Sequence, residues 1–188
     1  YYSLREVPFG SDGDFSREGC LQRYNSDLAN GLGNLVNRAL SMLKQYFSSE
    51  IPDATPDANL LSLIETQTPL VAKAYEALEF NDALKLIWEV IGQSNVAIEE
   101  QKPWAKIKAG ETQSVASLLR GLLAVCAWSS IVIRPVMPHV AARLQTLLNI
   151  ENELGWNDAT NFHLLPPGHR CSEPQPLFPR IQNTSFPT

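Results

Sequence analysis

Apolar residues recur every three or four positions through Leu21, Tyr24, Leu28, Leu32, Leu35, Ala39, Met42 and Tyr46, the stripe of a long amphipathic helix. Ser16 stands where an N-cap is needed, and Glu18 falls in the first turn, facing the positive end of the helix dipole. A proline-bearing connection from Ile51 to Pro56 leads to a second stripe of Leu60, Leu63, Ile64, Val71, Tyr75 and Leu78. Asn81 or Asp82 then caps a third helix with Leu84, Ile87, Trp88, Ile91 and Ile98 apolar, ending near Gln101. Pro103 suits the first turn of a short new helix, where its missing N–H is not needed. A fourth helix is predicted from about Gln113 to Arg134, stopped by Pro135, and Pro138 opens a fifth that carries Val140, Leu144, Leu147 and Leu148.

The ends of the chain lack this periodicity. Residues 1–14 hold Pro8, Gly10, Gly13 and three acidic residues, the composition of a loop. Past Ile150 the pattern breaks, and Gly155 to Thr188 is rich in Pro, Asn and Gly. This stretch is expected to form an extended tail laid over the helices by Trp156, Phe162 and Phe178, frayed at its end. The predicted fold is therefore all-α: a five-helix bundle over residues 16–150, a leading segment at 1–15, and an irregular proline-rich tail at 151–188.

Two polar groupings interrupt the helical pattern. Asn30, Asn34 and Arg38 follow one another at steps of four, which sets amides and a guanidinium along one face of the first helix. Gly31 and Gly33 lie among them, each costing about 1 kcal/mol relative to Ala. They imply the close approach of another backbone, from a packed helix or a ligand. The second grouping is Pro103-Trp104 beside Lys102, Lys106 and Lys108, a helix junction that can hold an aromatic ring outside the core. Arg and Asn bond to base edges and Trp stacks on base faces, so these are the residue types that read unpaired nucleotides.

Charge limits that reading. A formal net charge of −5 excludes a protein that coats nucleic acid through a broad basic field, and leaves a small local site reading a few exposed bases. The apolar runs Leu122 to Ala127 and Ile131 to Ile133 are interrupted by Ser129, Ser130 and Arg134, so no membrane span is expected. Nor does Tyr1 to Arg5 carry the features of a secretory signal; it reads as the interior of a longer protein. Cys20, Cys126 and Cys171 are odd in number and far apart, which favours reduced thiols over a disulfide framework. His139, His163 and His169 do not stand at metal-ligand spacing, and no metal is assigned. No phosphate-binding glycine loop, nucleophile elbow or HExxH motif is present. The adjacent Glu99 and Glu100 point about 100° apart on a helix and read as a solvated face. No catalytic residue is assigned.

On these residues the chain resembles the anticodon-binding domain of methionyl-tRNA synthetases of the bacterial or organellar type. The likeness runs through Arg5 to Ser16 (REVPFGSDGDFS), Arg23 to Arg38 (RYNSDLANGLGNLVNR) and Asn95 to Trp104 (NVAIEEQKPW). It continues in Pro135 to Pro138 (PVMP), Gly168-His169 and Leu177 to Ile181 (LFPRI), whereas Gln182 to Thr188 departs from the family's pattern. The resemblance implies a helical bundle that receives the anticodon loop of tRNA(Met), with Trp104 stacking on the first anticodon base, a cytosine, and Asn34 and Arg38 bonding to anticodon bases. Lys102, Lys106 and Lys108 are possible contacts to the RNA backbone, or a solvated face. Residues 1–15 would be the linker from a catalytic domain lying outside this chain. That domain would be the bundle's partner and would use ATP and Mg to attach methionine; no cofactor is expected in the bundle, and the fragment alone should be inactive. The setting implied is cytoplasm or an organellar stroma or matrix. The competing reading is a stand-alone helical module for protein or RNA interaction, offering a face around Leu84 to Trp88.

Overall fold

The computed structural model describes residues 1–7, 10 and 12–181, and the frayed end expected past Ile181 lies outside them. Residues 1–14 are not loop throughout, because a one-turn helix α1 (Tyr2–Glu6) forms there. Tertiary contacts hold it: the Tyr1 ring lies 4.8 Å from that of Trp88, and the Asn81 side-chain amide donates to the Arg5 carbonyl. Ser16 caps α2 (Arg17–Arg23) by accepting the Gly19 N–H at 3.0 Å.

The long first stripe forms one continuous rod with a change of pitch inside it. Between α2 and α3 (Asn34–Phe47), residues Tyr24–Gly33 form a π-helix. Such wide turns are rare and tend to mark functional positions. The poor helix formers Asn25, Asn30, Gly31 and Gly33 are gathered here, and the glycines make room for neighbours. A Cβ on Gly31 would lie 3.3 Å from Trp88 Nε1, and one on Gly33 would lie 3.3 Å from the Phe178 ring and 3.0 Å from the Leu28 carbonyl oxygen. Both glycines thus serve packing against the chain's own side chains.

The remaining helices are α4 (Ala58–Glu76), α5 (Phe80–Gln101), α6 (Pro103–Lys108), α7 (Thr112–Val132) and α8 (Pro138–Leu147). With the α2–α3 rod, α4, α5, α7 and α8 make the expected all-α bundle, and α6 is the short helix opened by Pro103. Glu79, not Asn81 or Asp82, precedes the first turn of α5; Asp82 pairs with Lys85 at 2.7 Å. Leu78 lies past the end of α4 at φ 60°, half exposed, and so drops out of that helix's apolar stripe.

Helix α7 is long and apolar enough to cross a membrane by length and composition, yet 83% of its apolar window is buried inside the bundle. It is the helix around which the others pack. Ser129 and Ser130 do not break it: both are fully buried, and Ser130 Oγ donates to the Ala127 carbonyl at 2.7 Å. Gly121 on α7 meets the start of α4, where Asp57 caps the helix by accepting from Asn59 N and Leu60 N. A Cβ at Gly121 would come within 2.9 Å of Leu60 Cδ1 and 3.0 Å of Asp57 Cβ. Gly121→Ala is therefore expected to push α4 from α7 and cost about 1–3 kcal/mol, as overpacking does, read from the midpoint of urea unfolding.

The described part of the tail, up to Ile181, packs on the helices. Ile51 and Gly168–His169 exchange backbone hydrogen bonds of 2.8 and 2.9 Å, the Tyr24 hydroxyl donates to the Pro179 carbonyl, and Trp156 meets Tyr75 edge-on at 6.2 Å. Cys126 and Cys171 are free and buried, and desolvation raises both thiol pKa values, that of Cys171 to about 12.

Candidate nucleic-acid interface

Three contacts tie the first rod to α5 at one constant offset. Trp88 Nε1 donates to the Asp27 carbonyl, Asn34 Nδ2 to Asn95 Oδ1, and Arg38 Nη1 to Glu99 Oε1, each pair 61 residues apart. A fixed offset with spacings of seven and four means that the two helices run side by side in the same direction, with polar groups facing at matching turns. The face that the sequence marked on the rod therefore lies along α5 and is not simply solvated.

At the end of α5 the chain turns sharply. Lys102 adopts φ 45° and ψ 61°, a left-handed conformation disfavoured outside glycine, and its N–H closes α5 on the Ile98 carbonyl at 3.2 Å. Pro103 is buried at the first position of α6, and Trp104 follows with 41% of its surface exposed. The turn swings the ring towards α3, where the Arg38 guanidinium carbon lies 5.9 Å from its centroid, within cation–π range. Arg38 also contacts Glu99 Oε1 at 2.6 Å, and this carboxylate side chain is 63% exposed. An open aromatic plane thus stands beside a guanidinium with its orientation set and further N–H groups to offer. Asn34 lies one turn away along the same helix.

The lysines divide. Lys106 Nζ is engaged by Ser114 Oγ at 2.8 Å and Gln101 Oε1 at 3.3 Å, which draws it towards α7; Lys102 and Lys108 are exposed. Asn30, the first member of the polar row, accepts from Arg180 Nη2 of the tail at 2.7 Å. Sequence reasoning missed Asn95, Glu99 and Arg180 as members of this constellation. For Asn95 and Glu99 a signal existed: they repeat on α5 the spacing of Asn34 and Arg38 on α3. Among the described residues no three His, Cys, Asp or Glu side chains converge on a possible metal site.

The fold coincides with a known class. A family model described as the anticodon binding domain of methionyl tRNA ligase matches residues 51–187, and one for class I tRNA synthetases of the methionine type matches residues 1–40. Methionine–tRNA ligase 1 of Bacillus anthracis is 35% identical over 97% of the chain, and the methionine–tRNA ligase of Halalkalibacterium halodurans is 37% identical over 96%. The chain spans 29% and 28% of those two relatives. Among solved structures, apo Mycobacterium tuberculosis methionyl-tRNA synthetase superposes with a TM-score of 0.83 at 31% identity, covering 97% of this chain and 38% of that one. The matches converge on the class I synthetases. Within them, the chain belongs to the family of methionyl tRNA ligase anticodon-binding domains.

Proposed function

We propose that this bundle reads the CAU anticodon of tRNA(Met) for a methionine–tRNA ligase that attaches methionine at the expense of ATP. The observation that carries the proposal is the exposed Trp104 ring on its left-handed turn, with the Arg38 guanidinium 5.9 Å from its centroid. A stacking plane and a base-edge donor held together by two rigid helices are what recognition of an unstacked base requires. In this reading Trp104 stacks on the cytosine, Asn34 and Arg38 bond to anticodon bases, and Lys102 and Lys108 lie near the RNA backbone, with Lys106 contributing less because of its internal partners. ATP and Mg belong to the catalytic domain of the parent enzyme, in the cytoplasm or an organelle. The net charge of −5 agrees with a division of labour in which another domain supplies much of the tRNA affinity.

The test is binding to an anticodon stem-loop carrying CAU against the same loop with its cytosine changed, at low and moderate salt. A preference for CAU supports the reading, and equal binding of both loops at every salt refutes it. Arg38→Ala is expected to weaken CAU binding by about 1–2 kcal/mol, towards the lower end for a base-contacting arginine because Glu99 already engages the guanidinium. The competing protein-interaction module loses its proposed face, because Leu84 and Ile87 are fully buried and Trp88 is packed against Tyr1 and Gly31.

A further inference from the structure

Asn34 can serve a base as donor or as acceptor, depending on which way its amide is turned. Its neighbour Asn95 settles this. Asn95 Nδ2 donates to two backbone carbonyls, Ile91 on its own helix at 3.1 Å and Gly31 in the π segment at 3.2 Å, while its Oδ1 accepts from Asn34 Nδ2 at 2.9 Å. Backbone carbonyl oxygens only accept, so the end of Asn95 that faces both of them must be its NH2 group. The other end is then an oxygen, and Asn34 can meet an oxygen only with its own NH2. The orientation of Asn34 is therefore imposed by main-chain atoms two steps away.

Resting on the anticodon reading above, we infer that Asn95 is a positioning residue for base recognition. It commits one of the two Asn34 Nδ2 hydrogens to α5 and fixes the other end of the amide, Oδ1, as the acceptor offered to RNA, which biases the site towards bases that present an exocyclic amine. Cytosine N4 and adenine N6 are such donors; uracil and hypoxanthine place a carbonyl oxygen at the equivalent position and meet the acceptor with a repulsive edge. With both amide hydrogens and its oxygen engaged, Asn95 cannot turn over without setting its oxygen against the carbonyls of Gly31 and Ile91.

The test uses the 188-residue chain, unchanged and with Asn34→Ala, Asn95→Ala, Asn95→Ser or Asn34→Ala with Asn95→Ala. Each is titrated with the CAU stem-loop and with loops in which uracil replaces the cytosine or hypoxanthine replaces the adenine. Asn95→Ala is expected to shrink the preference for the amine-bearing loop about three- to tenfold, the scale of one hydrogen bond. The double variant is expected to discriminate no worse than Asn34→Ala alone. Asn95→Ser guards against a folding defect, since its hydroxyl can bond to the Ile91 carbonyl as Ser94 Oγ does to Val90 at 2.8 Å, and the same shrinkage is expected. An equal loss of affinity for all loops would make Asn95 merely structural and overturn the inference. If the unchanged protein prefers the amine-bearing loops and Asn95→Ser preserves that ratio, the inference fails and the anticodon reading stands; no preference in the unchanged protein removes both. In the RNA-free protein the Asn34 side-chain amide resonances should shift on Asn95→Ser, and unchanged resonances would refute the contact.

Discussion

Trp128→Ala is expected to remove about 3–5 kcal/mol of folding stability, the usual cost of emptying an aromatic site in a closed core. The ring is 1% exposed on α7, and its Nε1 donates to Thr68 Oγ1 at 2.9 Å; that hydroxyl in turn donates to the Ile64 carbonyl at 2.6 Å. One side chain thus fills the space between α7 and α4 and closes a short buried hydrogen-bond chain. Against a total of about 5–15 kcal/mol for an ordinary domain, the loss amounts to a fifth or more. For a chain of this size it should lower the melting temperature by roughly 10 °C, at about 2–4 °C per kcal/mol, measurable by calorimetry. Trp128→Phe separates the two contributions. It keeps most of the ring and leaves Thr68 Oγ1 bonded to Ile64, so it should cost about 1–2 kcal/mol, nearer to one hydrogen bond than to a cavity. A variant that melted like the original would mean that the ring is not part of the core.

The apolar stripes made the bundle legible because each long helix buries one face against α7 or a neighbour of it, and burial is what a period of three to four records. What they could not show is the pitch change at Tyr24–Gly33. Tyr24, Leu28 and Leu32 are spaced by four, which fits an ordinary helix turn and a wider one about equally, and only the gathering of Asn and Gly hinted at the difference. Helix α1 was invisible for another reason. Five residues have no intrinsic helical stability, and this turn is held by Trp88 and Asn81 from α5. The candidate site divides in the same way. The chemistry of Asn34, Arg38 and Trp104 can be read from residue types, but their pairing with Asn95 and Glu99 depends on the parallel register of α3 and α5. Two adjacent glutamates on one helix look alike in sequence; the structure sets Glu99 beside a guanidinium, whereas Glu100 borders the open groove between α4 and α5.

Trp104→Ala should behave in the opposite way to Trp128→Ala. With 41% of its surface exposed outside the core, the ring contributes modestly to folding, chiefly through its contact with Arg38, and its removal should change stability by no more than about 1 kcal/mol. Binding of the CAU stem-loop should fall by about 1–3 kcal/mol, the measured range for losing an aromatic stacking partner. Arg38 adds to this, because without the ring its guanidinium loses a cation–π contact worth about 0.5–1 kcal/mol at an exposed site and is less well held for the base. Salt separates the origins of the loss. Phosphate contacts weaken steeply as salt rises, whereas stacking does not, so the ratio of wild-type to Trp104→Ala affinity should stay constant as both affinities fall. Trp104→Phe should recover part of the binding, since a smaller aromatic face still stacks. Fluorescence gives a direct check: stacking should quench the exposed Trp104, and the RNA-induced quenching should vanish in the alanine variant while the emission of buried Trp128 persists. A Trp104→Ala protein that lost its circular dichroism signal would make the ring structural. One that folded and bound CAU undiminished would leave Arg38 and Asn34 without the plane on which the proposed reading of the cytosine depends.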